Sequence, residues 1–381
     1  AYNYIPITRS GSNIVTAFRE ADGSSKDLSE LGLLKLDILG LSTLNIFKEC
    51  VQRIKEDKGI DLKEKINHLP LDDKKLLDYF SKGKNYGIFQ MERSSMFTSK
   101  IEVDSFKDII AINAINRPGP LETFLDKYGY WKKIDTGKIQ LTEKELEEVN
   151  KERYPFPFME KVLKDNYGCL LYQENFMSLV CEAGGFNYGE ADSFRRVFGW
   201  KEDNPKYYTI KDYYDRLEKG MEQKGYSKED TKKFIQYCRD FAGYSFNISH
   251  STCYAYVAYQ CLFFKVYYPA YFFAAMINNE NSTDKLPQII EDAKLNNITI
   301  LPQSITSSKF YTVVENDKTV RLGYGIIKGF GNSTEEELNS LNIKTLEDFL
   351  SYEFKTLNKT QLNNLLDLGV FDLFEVDRSF L

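Results

Sequence analysis

The sequence predicts a predominantly helical α+β protein, with a small β-rich segment at residues 1–44 and a large helical region after it. Two observations lead to this fold class. Before residue 44 the apolar side chains form short runs typical of strands, and the turn-forming segment Ala21–Ser25 separates two of them. From Leu44 onward the apolar side chains recur every three or four residues, which is the period of an amphipathic helix.

Three strands are expected in the first segment, at Tyr4–Ile7, Ile14–Phe18 and Leu33–Leu39. In the third, apolar side chains cover one face without a break, while Lys35 and Asp37 stand together on the other. An ammonium and a carboxylate about 7 Å apart on a strand suit a site for phosphate and a metal ion. The alternative is a solvated charge pair on the wet face of an ordinary strand.

Several further elements are expected in the helical region. Asp72 is expected to cap a helix after Leu69-Pro70. Residues 131–158 are polar and charged, with helical character over Thr142–Arg153, and are expected to form an exposed excursion. Near the end of the chain, Val320–Ile327 is expected to form a strand, and residues 357–371 two short helices around a turn.

The composition limits the function classes. The 381 residues are 42% hydrophobic and 28% charged, which is typical of a soluble globular protein. The net charge of −6 argues against a uniformly basic nucleic-acid-binding surface but allows a local basic channel.

The cysteines, the histidines and the apolar runs bear on metal sites, disulfides and membrane spans. Six cysteines without a C-x-x-C pair, and only two histidines, argue against a zinc site or a disulfide framework and indicate a reducing cytoplasm. The apolar run after Lys265 is about 12 residues long, too short to span a bilayer. Because the sequence starts at Ala1 in a strand-like run, we expect a fragment or a processed product.

Arg195 and Arg196 form the clearest basic pair, and Lys201 follows six residues after the first of them. Adjacent side chains on a helix diverge by about 100°, so the two guanidiniums can flank an extended polyanion but cannot grip one oxygen. Local pairing with Asp192, three and four residues earlier, is the competing interpretation.

Two other polar segments stand beside apolar runs. Asn247–Ser251 precedes a strongly apolar helix, and it either caps that helix or brings His250 to a nucleotide. Arg117-Pro118-Gly119-Pro120 is expected to be a rigid turn that holds Arg117 in place. Gln90 lies in a third run, Gly87–Arg93, whose apolar part looks like a strand.

Taken together and in order, these segments closely resemble the family C replicative DNA polymerases of bacteria, the DNA polymerase III alpha subunits. The matching stretches extend from about Ile5 to Phe371 and read LGLLKLDILGLSTL, LPLDD, YGIFQMERSSM, INRPGPL, YGCLLYQE, GGFNYGEADSFRR, FAGYSFNISHSTCYAYVAYQ, YPAYFFAAMI and RLGYGIIKGFG.

The resemblance implies a palm of the polymerase-beta nucleotidyltransferase type followed by a helical fingers domain. Residues 1–44 correspond to the last part of the palm, 45–372 to the fingers, with the charged excursion near 131–158, and 373–381 to the start of a linker toward a helix-hairpin-helix region.

The resemblance also implies roles for single residues. Asp37 corresponds to the third metal-binding catalytic aspartate, and Lys35 to a lysine near the incoming triphosphate. The nucleotide- or DNA-binding residues are expected to be Arg195, Arg196, Asn247, His250, Arg117, Gln90 and Lys201.

The sequence departs from the family pattern at several positions. Ile248 and Ser95 replace the family's usual Lys and Gly. The other two catalytic aspartates lie in a P-D-x-D-x-D segment in the family, and D-x-D does not occur in these 381 residues.

We therefore expect part of a DNA-directed DNA polymerase that is inactive alone and uses Mg²⁺ at a two-metal site completed by another polypeptide. The expected partners are primer–template DNA, deoxynucleoside triphosphates and an upstream polypeptide carrying the other two aspartates. A sliding clamp and other replisome subunits are expected through other parts of the polymerase, and no membrane is expected. The alternative is a non-catalytic DNA- or nucleotide-binding module that keeps the fingers surface without a metal centre.

Overall fold

The computed structural model describes residues 3–18, 28, 30–33, 40–198, 207–242, 246–280, 282–327, 329–341 and 343–374. The chain divides into two compact units, residues 1–44 and 45–381. Helices dominate the described residues, and the strands form one sheet of two strands and one of three. The predicted class, a predominantly helical α+β protein, is confirmed.

The first unit contains a β-hairpin. Strands β1 (Ile7–Ser10) and β2 (Asn13–Thr16) pair antiparallel, with Ile7 opposite Thr16. The turn passes through Gly11, whose φ of +62° is readily adopted by glycine. The second predicted strand, Ile14–Phe18, overlaps β2, whereas the first, Tyr4–Ile7, shares only Ile7 with β1. Most of the third, residues 34–39 with Lys35 and Asp37, lies outside the described residues.

The second unit is built mainly from helices. In chain order they are α1 (Ser42–Lys58), α2 (Lys74–Ser81), α3 (Ser95–Ile101), α4 (Phe106–Ile115), α5 (Pro118–Asp135), α6 (Glu143–Arg153), α7 (Pro157–Leu163), α8 (Gln173–Gly184), α9 (Tyr188–Val197), α10 (Tyr207–Gln223), α11 (Lys228–Ala242), α12 (Ile248–Tyr267), α13 (Pro269–Asn279), α14 (Leu286–Leu295), α15 (Asn332–Ser340), α16 (Leu346–Leu350) and α17 (Lys359–Asp367).

Helices α12 and α13 form the centre of the largest core. Their apolar residues are buried almost all round, which is the pattern of a helix enclosed by others. Helix α12 packs on α4 and α2, and the shared cluster includes Phe47, Phe80, Ile112, Phe264 and Phe272. The predicted amphipathic helix after Leu44 is α1, which buries Phe47, Cys50 and Ile54 in this core.

A second apolar cluster forms between α7 and α11. It is rich in aromatic rings and contains Phe156, Phe176, Phe194, Leu217 and Phe234. We call the part of the chain that surrounds it the second lobe (residues 156–198 and 207–242). This lobe carries the arginine pair of α9.

The C-terminal part holds the three-stranded sheet. Strand β5 (Thr319–Arg321) is central, parallel to β3 (Thr299–Leu301) and antiparallel to β4 (Val313–Asn316). The predicted strand Val320–Ile327 is shorter than expected, because the chain turns into a 3₁₀ helix at Tyr324–Ile326. Residues 357–371 contain one α-helix, α17, rather than two.

Two local expectations at the starts of helices are corrected. Asp73, not Asp72, caps α2, and its side chain accepts bonds from the amides of Lys75 and Leu76. Arg117-Pro118-Gly119-Pro120 is the start of α5 rather than a turn, because proline is well accommodated in the first turn of a helix.

The segment 131–158 is not fully exposed. Trp131 is buried, and buried Arg153 forms two bonds with the Asp135 carboxylate at 2.9 and 2.6 Å. A guanidinium and a carboxylate joined in this way fix their relative orientation. No helix among the described residues has the length and apolar character needed to cross a membrane.

Candidate functional site

A cleft of about 680 Å³ opens in the second unit where several helix ends meet. Its walls come from the turn before α3, the junction of α4 and α5, Phe246 shortly before α12, and α13 with α14. The lining residues are Tyr86, Gly87, Gln90, Glu92, Arg93, Asn113, Asn116, Arg117, Phe246, Met276, Glu280, Lys285, Gln288 and Ile289. Two of the predicted binding residues, Gln90 and Arg117, therefore line one cleft.

Arg117 is held at the wall of the cleft by its backbone and by its side chain. The residue precedes Pro118 and is extended, as the proline ring requires, with φ −146° and ψ 150°. Its Nε and Nη2 both donate to the carbonyl oxygen of Ala114 at 3.2 Å. Its guanidinium carbon lies 4.2 Å from the centroid of the Phe246 ring, within the range of a cation–π contact. Burial lowers the pKa of the Arg117 guanidinium, which still stays charged at neutral pH.

Gln90 lies in a tight turn rather than in a strand. Its φ of +57° is in the left-handed region, and its carbonyl oxygen accepts a bond from Asn116 Nδ2 at 3.5 Å. Gly87 in the same turn has a φ of +70°, and a Cβ there would lie 2.6 Å from Met276 Cε. The strand-like interpretation of this run is therefore wrong, and the turn closes against α13.

A row of aromatic rings, the ring ladder, begins at the cleft. It consists of Phe246, His250, Tyr254 and Phe89, with successive ring centroids 5.1, 4.0 and 5.2 Å apart. His250 is exposed and the other three are half-buried. Such rings present planar surfaces to solvent, and nucleobases stack on surfaces of this kind. Because Arg117 lies on Phe246, the cleft and the ladder are continuous.

Phe246, Tyr254 and Phe89 also belong to this site and are not among the binding residues predicted from the sequence. The spacing of His250 and Tyr254 is a signal that points to Tyr254, because residues four apart share one face of a helix, whereas Phe246 precedes the helix. Phe89 comes from a distant turn and has no comparable signal in the sequence.

Asn247 caps helix α12. Its Oδ1 accepts a bond from the backbone amide of His250 at 2.9 Å, and its Nδ2 donates to Glu174 Oε1 at 2.9 Å. The capping role considered for this polar segment is thus present. It leaves the His250 ring exposed beside Phe246.

Arg195 and Arg196 lie elsewhere, on α9 of the second lobe, and neither lines the cleft. Asp192 bonds both, with its oxygens 2.9 Å from Arg195 Nη2 and 2.7 Å from Arg196 Nη2. The bond from Arg195 makes the largest contribution, and that from Arg196 the next, to holding the pKa of Asp192 below its ordinary value. The local pairing considered for these arginines is therefore present, while 71% of the Arg196 side chain is open to solvent.

Both predicted catalytic residues and one predicted binding residue are not among the residues that the structure describes. Lys35, Asp37 and Lys201 lie outside the described residues. Within the described part of the chain, no group of three or more His, Cys, Asp or Glu side chains is arranged to hold a metal ion.

Known families match two parts of the chain. Residues 43–225 match the family model described as the bacterial DNA polymerase III alpha subunit finger domain, and residues 297–381 match one described as a helix-hairpin-helix motif. The finger-domain match includes Gln90, Arg117 and the arginine pair, and it ends before Asn247.

Two curated relatives extend the match to nearly the whole chain. The DNA polymerase III subunit alpha of Aquifex aeolicus (strain VF5) is 36% identical over 359 residues, covering 92% of this chain and 29% of that protein. The protein of the same name from Staphylococcus aureus (strain MRSA252) is 31% identical over 392 residues, covering 100% of this chain and 34% of its own length. The chain thus spans about a third of the length of these relatives. It belongs to the family of bacterial DNA polymerase III alpha subunits.

Proposed function

We propose that this chain forms the fingers, and the adjoining edge of the palm, of a DNA-directed DNA polymerase that acts in replication. The observation that carries the proposal is the meeting of the cleft and the ring ladder at Phe246, where a half-buried cation and exposed ring surface lie side by side. Cations beside stacking surfaces favour a ligand that combines phosphates with bases. Family membership supports the proposal that this ligand is primer–template DNA with an incoming deoxynucleoside triphosphate.

The proposed roles follow the chemistry of the side chains. Gln90 and Arg117 contact the nucleotide or the DNA at the cleft, and Asn247 and His250 contact it at the adjoining ring ladder. Arg195 and Arg196 neutralise triphosphate charge from the second lobe, and the same role is proposed for Lys201. Arg195 supports this, because its Nε is buried and has no hydrogen-bond partner among the described residues.

Catalysis is assigned to the first unit. Asp37 is proposed as a ligand of Mg²⁺, and Lys35 as the cation beside the triphosphate, with two more carboxylates coming from an upstream polypeptide. When bound, Mg²⁺ stabilises the charge that develops on the phosphates. The hard oxygen of an aspartate is a suitable ligand for this ion.

The proposed domains and setting are those the family implies. We assign residues 1–44 to the palm, 45–372 to the fingers and 373–381 to the following linker, and the helix-hairpin-helix match overlaps the last part of the fingers. The protein is proposed to act in the cytoplasm. A sliding clamp and other replisome subunits are proposed as partners of other parts of the polymerase.

DNA binding is tested with a fluorescein-labelled primer–template by anisotropy at several salt concentrations. Each neutralised DNA phosphate contributes about −0.9 to the slope of log affinity against log salt, so we expect the affinity to fall as the salt concentration rises. Absence of binding at low salt would contradict the proposal.

Catalysis is tested by primer extension with Mg²⁺, using this chain mixed with a polypeptide that carries the P-D-x-D-x-D segment. We expect extension by the mixture and its loss in Asp37→Asn. The matched control is Asp78→Asn, which removes an exposed aspartate paired with Lys82. Extension that is unchanged in Asp37→Asn would disprove the metal-binding role of Asp37.

A further inference from the structure

Two segments that are far apart in the sequence run side by side below the ring ladder. Tyr172 and Phe246 form a parallel β-bridge. The amide of Gln173 donates to the Phe246 carbonyl at 2.9 Å, and the Phe246 amide donates to the Leu171 carbonyl at 3.4 Å. Leu171 and Gln173, at the start of α8, therefore hold Phe246, two residues before α12, by its backbone.

Glu174 continues this contact with its side chain. Its Oε1 accepts a bond from Asn247 Nδ2 at 2.9 Å, and its Oε2 accepts one from the backbone amide of Ile248 at 3.1 Å. Asn247 Oδ1 in turn accepts from the amide of His250 at 2.9 Å. Three bonds thus join a carboxylate on α8 to the residue that presents its ring to solvent.

A carboxylate suits this position, because each of its two oxygens accepts one bond. Two donors, an amide nitrogen of Asn247 and the backbone amide of Ile248, point at residue 174, so that residue must supply two acceptors. The negative charge also lies at the N-terminus of α12, where the aligned backbone dipoles of a 20-residue helix favour an anion. With both its amide atoms engaged, Asn247 cannot rotate without losing a bond.

We infer that Glu174 is a positioning residue for the nucleotide site. It fixes the orientation of Asn247 and, through it, the first turn of α12, which carries His250. Its role rests on the proposed function, since the ligand it serves is the primer–template DNA and nucleotide assigned there.

The geometry is tested by a double-mutant cycle on thermal stability. In Glu174→Gln the new amide places a donor against a donor, and in Asn247→Asp two carboxylates face each other. The double variant restores both contacts, because the new amide at position 174 can donate to the new carboxylate at position 247 and still accept from the backbone of Ile248. The new carboxylate also still caps the helix. We expect each single variant to lower Tm by about 2–4 °C and the double variant to recover most of the loss. Additive losses in the double variant would contradict the bonded arrangement.

The positioning role is tested on primer–template affinity well below every Tm. We expect Glu174→Gln to weaken binding about tenfold, the scale of one lost charge-assisted bond. The matched control is Glu182→Gln on the same helix, whose carboxylate pairs with Lys161 at 2.6 Å, and we expect it to bind like the unaltered protein.

The outcomes separate the two proposals. If the unaltered protein does not bind the DNA, the proposed function fails whatever the thermal cycle shows. If the unaltered protein binds, and Glu174→Gln binds equally well although its Tm has fallen, Glu174 stabilises the fold only and the inference is wrong.

Discussion

Arg117 lies on the Phe246 ring, with its guanidinium carbon 4.2 Å from the ring centroid, although the two residues of the cleft lining are far apart in the sequence. Both Nε and Nη2 are turned toward the Ala114 carbonyl, which fixes the plane of the guanidinium. A charge held against a ring in this way is oriented before any ligand arrives. Preorganised cations lose little side-chain entropy on binding, so this contact should matter for affinity.

The first prediction concerns that contact. Arg117→Lys keeps the charge but loses the planar group that stacks on Phe246, so we expect primer–template affinity to fall about five- to tenfold. Anisotropy with the labelled DNA measures it. Arg239→Lys is the control, since Arg239 makes the same kind of contact with Tyr214, at 5.3 Å and away from the cleft lining. Equal losses in the two variants would refute a special role for Arg117.

The second prediction concerns the arginine pair on α9. Asp192 competes with a phosphate ligand for both guanidiniums, so Asp192→Asn should strengthen binding of a deoxynucleoside triphosphate about two- to fivefold. Arg196→Ala should weaken it by a similar factor. Isothermal titration with dATP measures both, and Arg216→Ala, which breaks the exposed pair with Glu190, is the control. If none of the three variants changes affinity, the pair serves α9 alone.

The third prediction concerns a buried ion pair under α5. Lys132 Nζ lies 2.7 Å from Asp108 Oδ2, and both side chains are almost fully buried. Lys132→Met leaves the Asp108 charge without its partner, so we expect the free energy of unfolding to fall by about 3–5 kcal/mol. Urea unfolding measures it. Lys133→Met removes a more exposed lysine on the same helix and should cost less than about 1 kcal/mol.

The fourth prediction concerns acid stability. Hydrogen bonds from two lysines lower the pKa of Glu102 to about 2, from an ordinary value of 4.5. The bond from Lys138 has the larger effect and that from Lys133 the smaller. Because the folded pKa is depressed, the contribution is complete above about pH 4.5 and is lost as the pH falls toward 2. The pairs are exposed, so the total stays below about 1 kcal/mol.

Urea unfolding of the unaltered protein and of Glu102→Gln, at pH 7 and at pH 3, measures this contribution. We expect the difference between the two proteins to shrink by more than half at pH 3. A difference that does not change with pH would contradict the assigned pairs.

The fifth prediction concerns the crossing of α8 and α10. A Cβ on Gly220 would lie 2.6 Å from Gly184 Cα and from its carbonyl oxygen. Gly220→Ala should therefore lower the free energy of unfolding by about 1–3 kcal/mol, although alanine is the better helix former by about 1 kcal/mol. Gly189→Ala, whose Cβ would meet Asn187 Oδ1 at an acceptable 3.4 Å, should be neutral or stabilising. A gain in both variants would show that the helices can move apart.

The local features of the fold were predictable from sequence because they depend on neighbouring residues. The period after Leu44 predicts α1, and Thr142 with Glu145 forms the capping box of the predicted charged helix. Where two equivalent candidates adjoin, as with Asp72 and Asp73, the local sequence does not distinguish them. The helix begins at Lys74, so Asp73, whose backbone is extended, is the residue that caps it.

The site was predictable only in part, because it joins segments that are distant in sequence. Gln90 and Arg117 could be selected separately, but their shared cleft depends on the packing of α4, α5 and α13. Glu174 could not be selected at all from pattern, since its partners are Asn247 and Ile248. Such contacts follow from tertiary structure and not from periodicity.

The pairing of Gln173 with Phe246 has a consequence for how the second lobe can vary. Residues 174–198 and 207–242 of the lobe lie between them, and the bonded backbones of Gln173 and Phe246 close this stretch. Insertions or deletions inside the lobe then alter only the length of a closed loop, and doubling that length costs about 0.6 kcal/mol of closure entropy. The bonded backbones of Gln173 and Phe246 therefore let the arginine-bearing lobe change in size while the cleft keeps its shape.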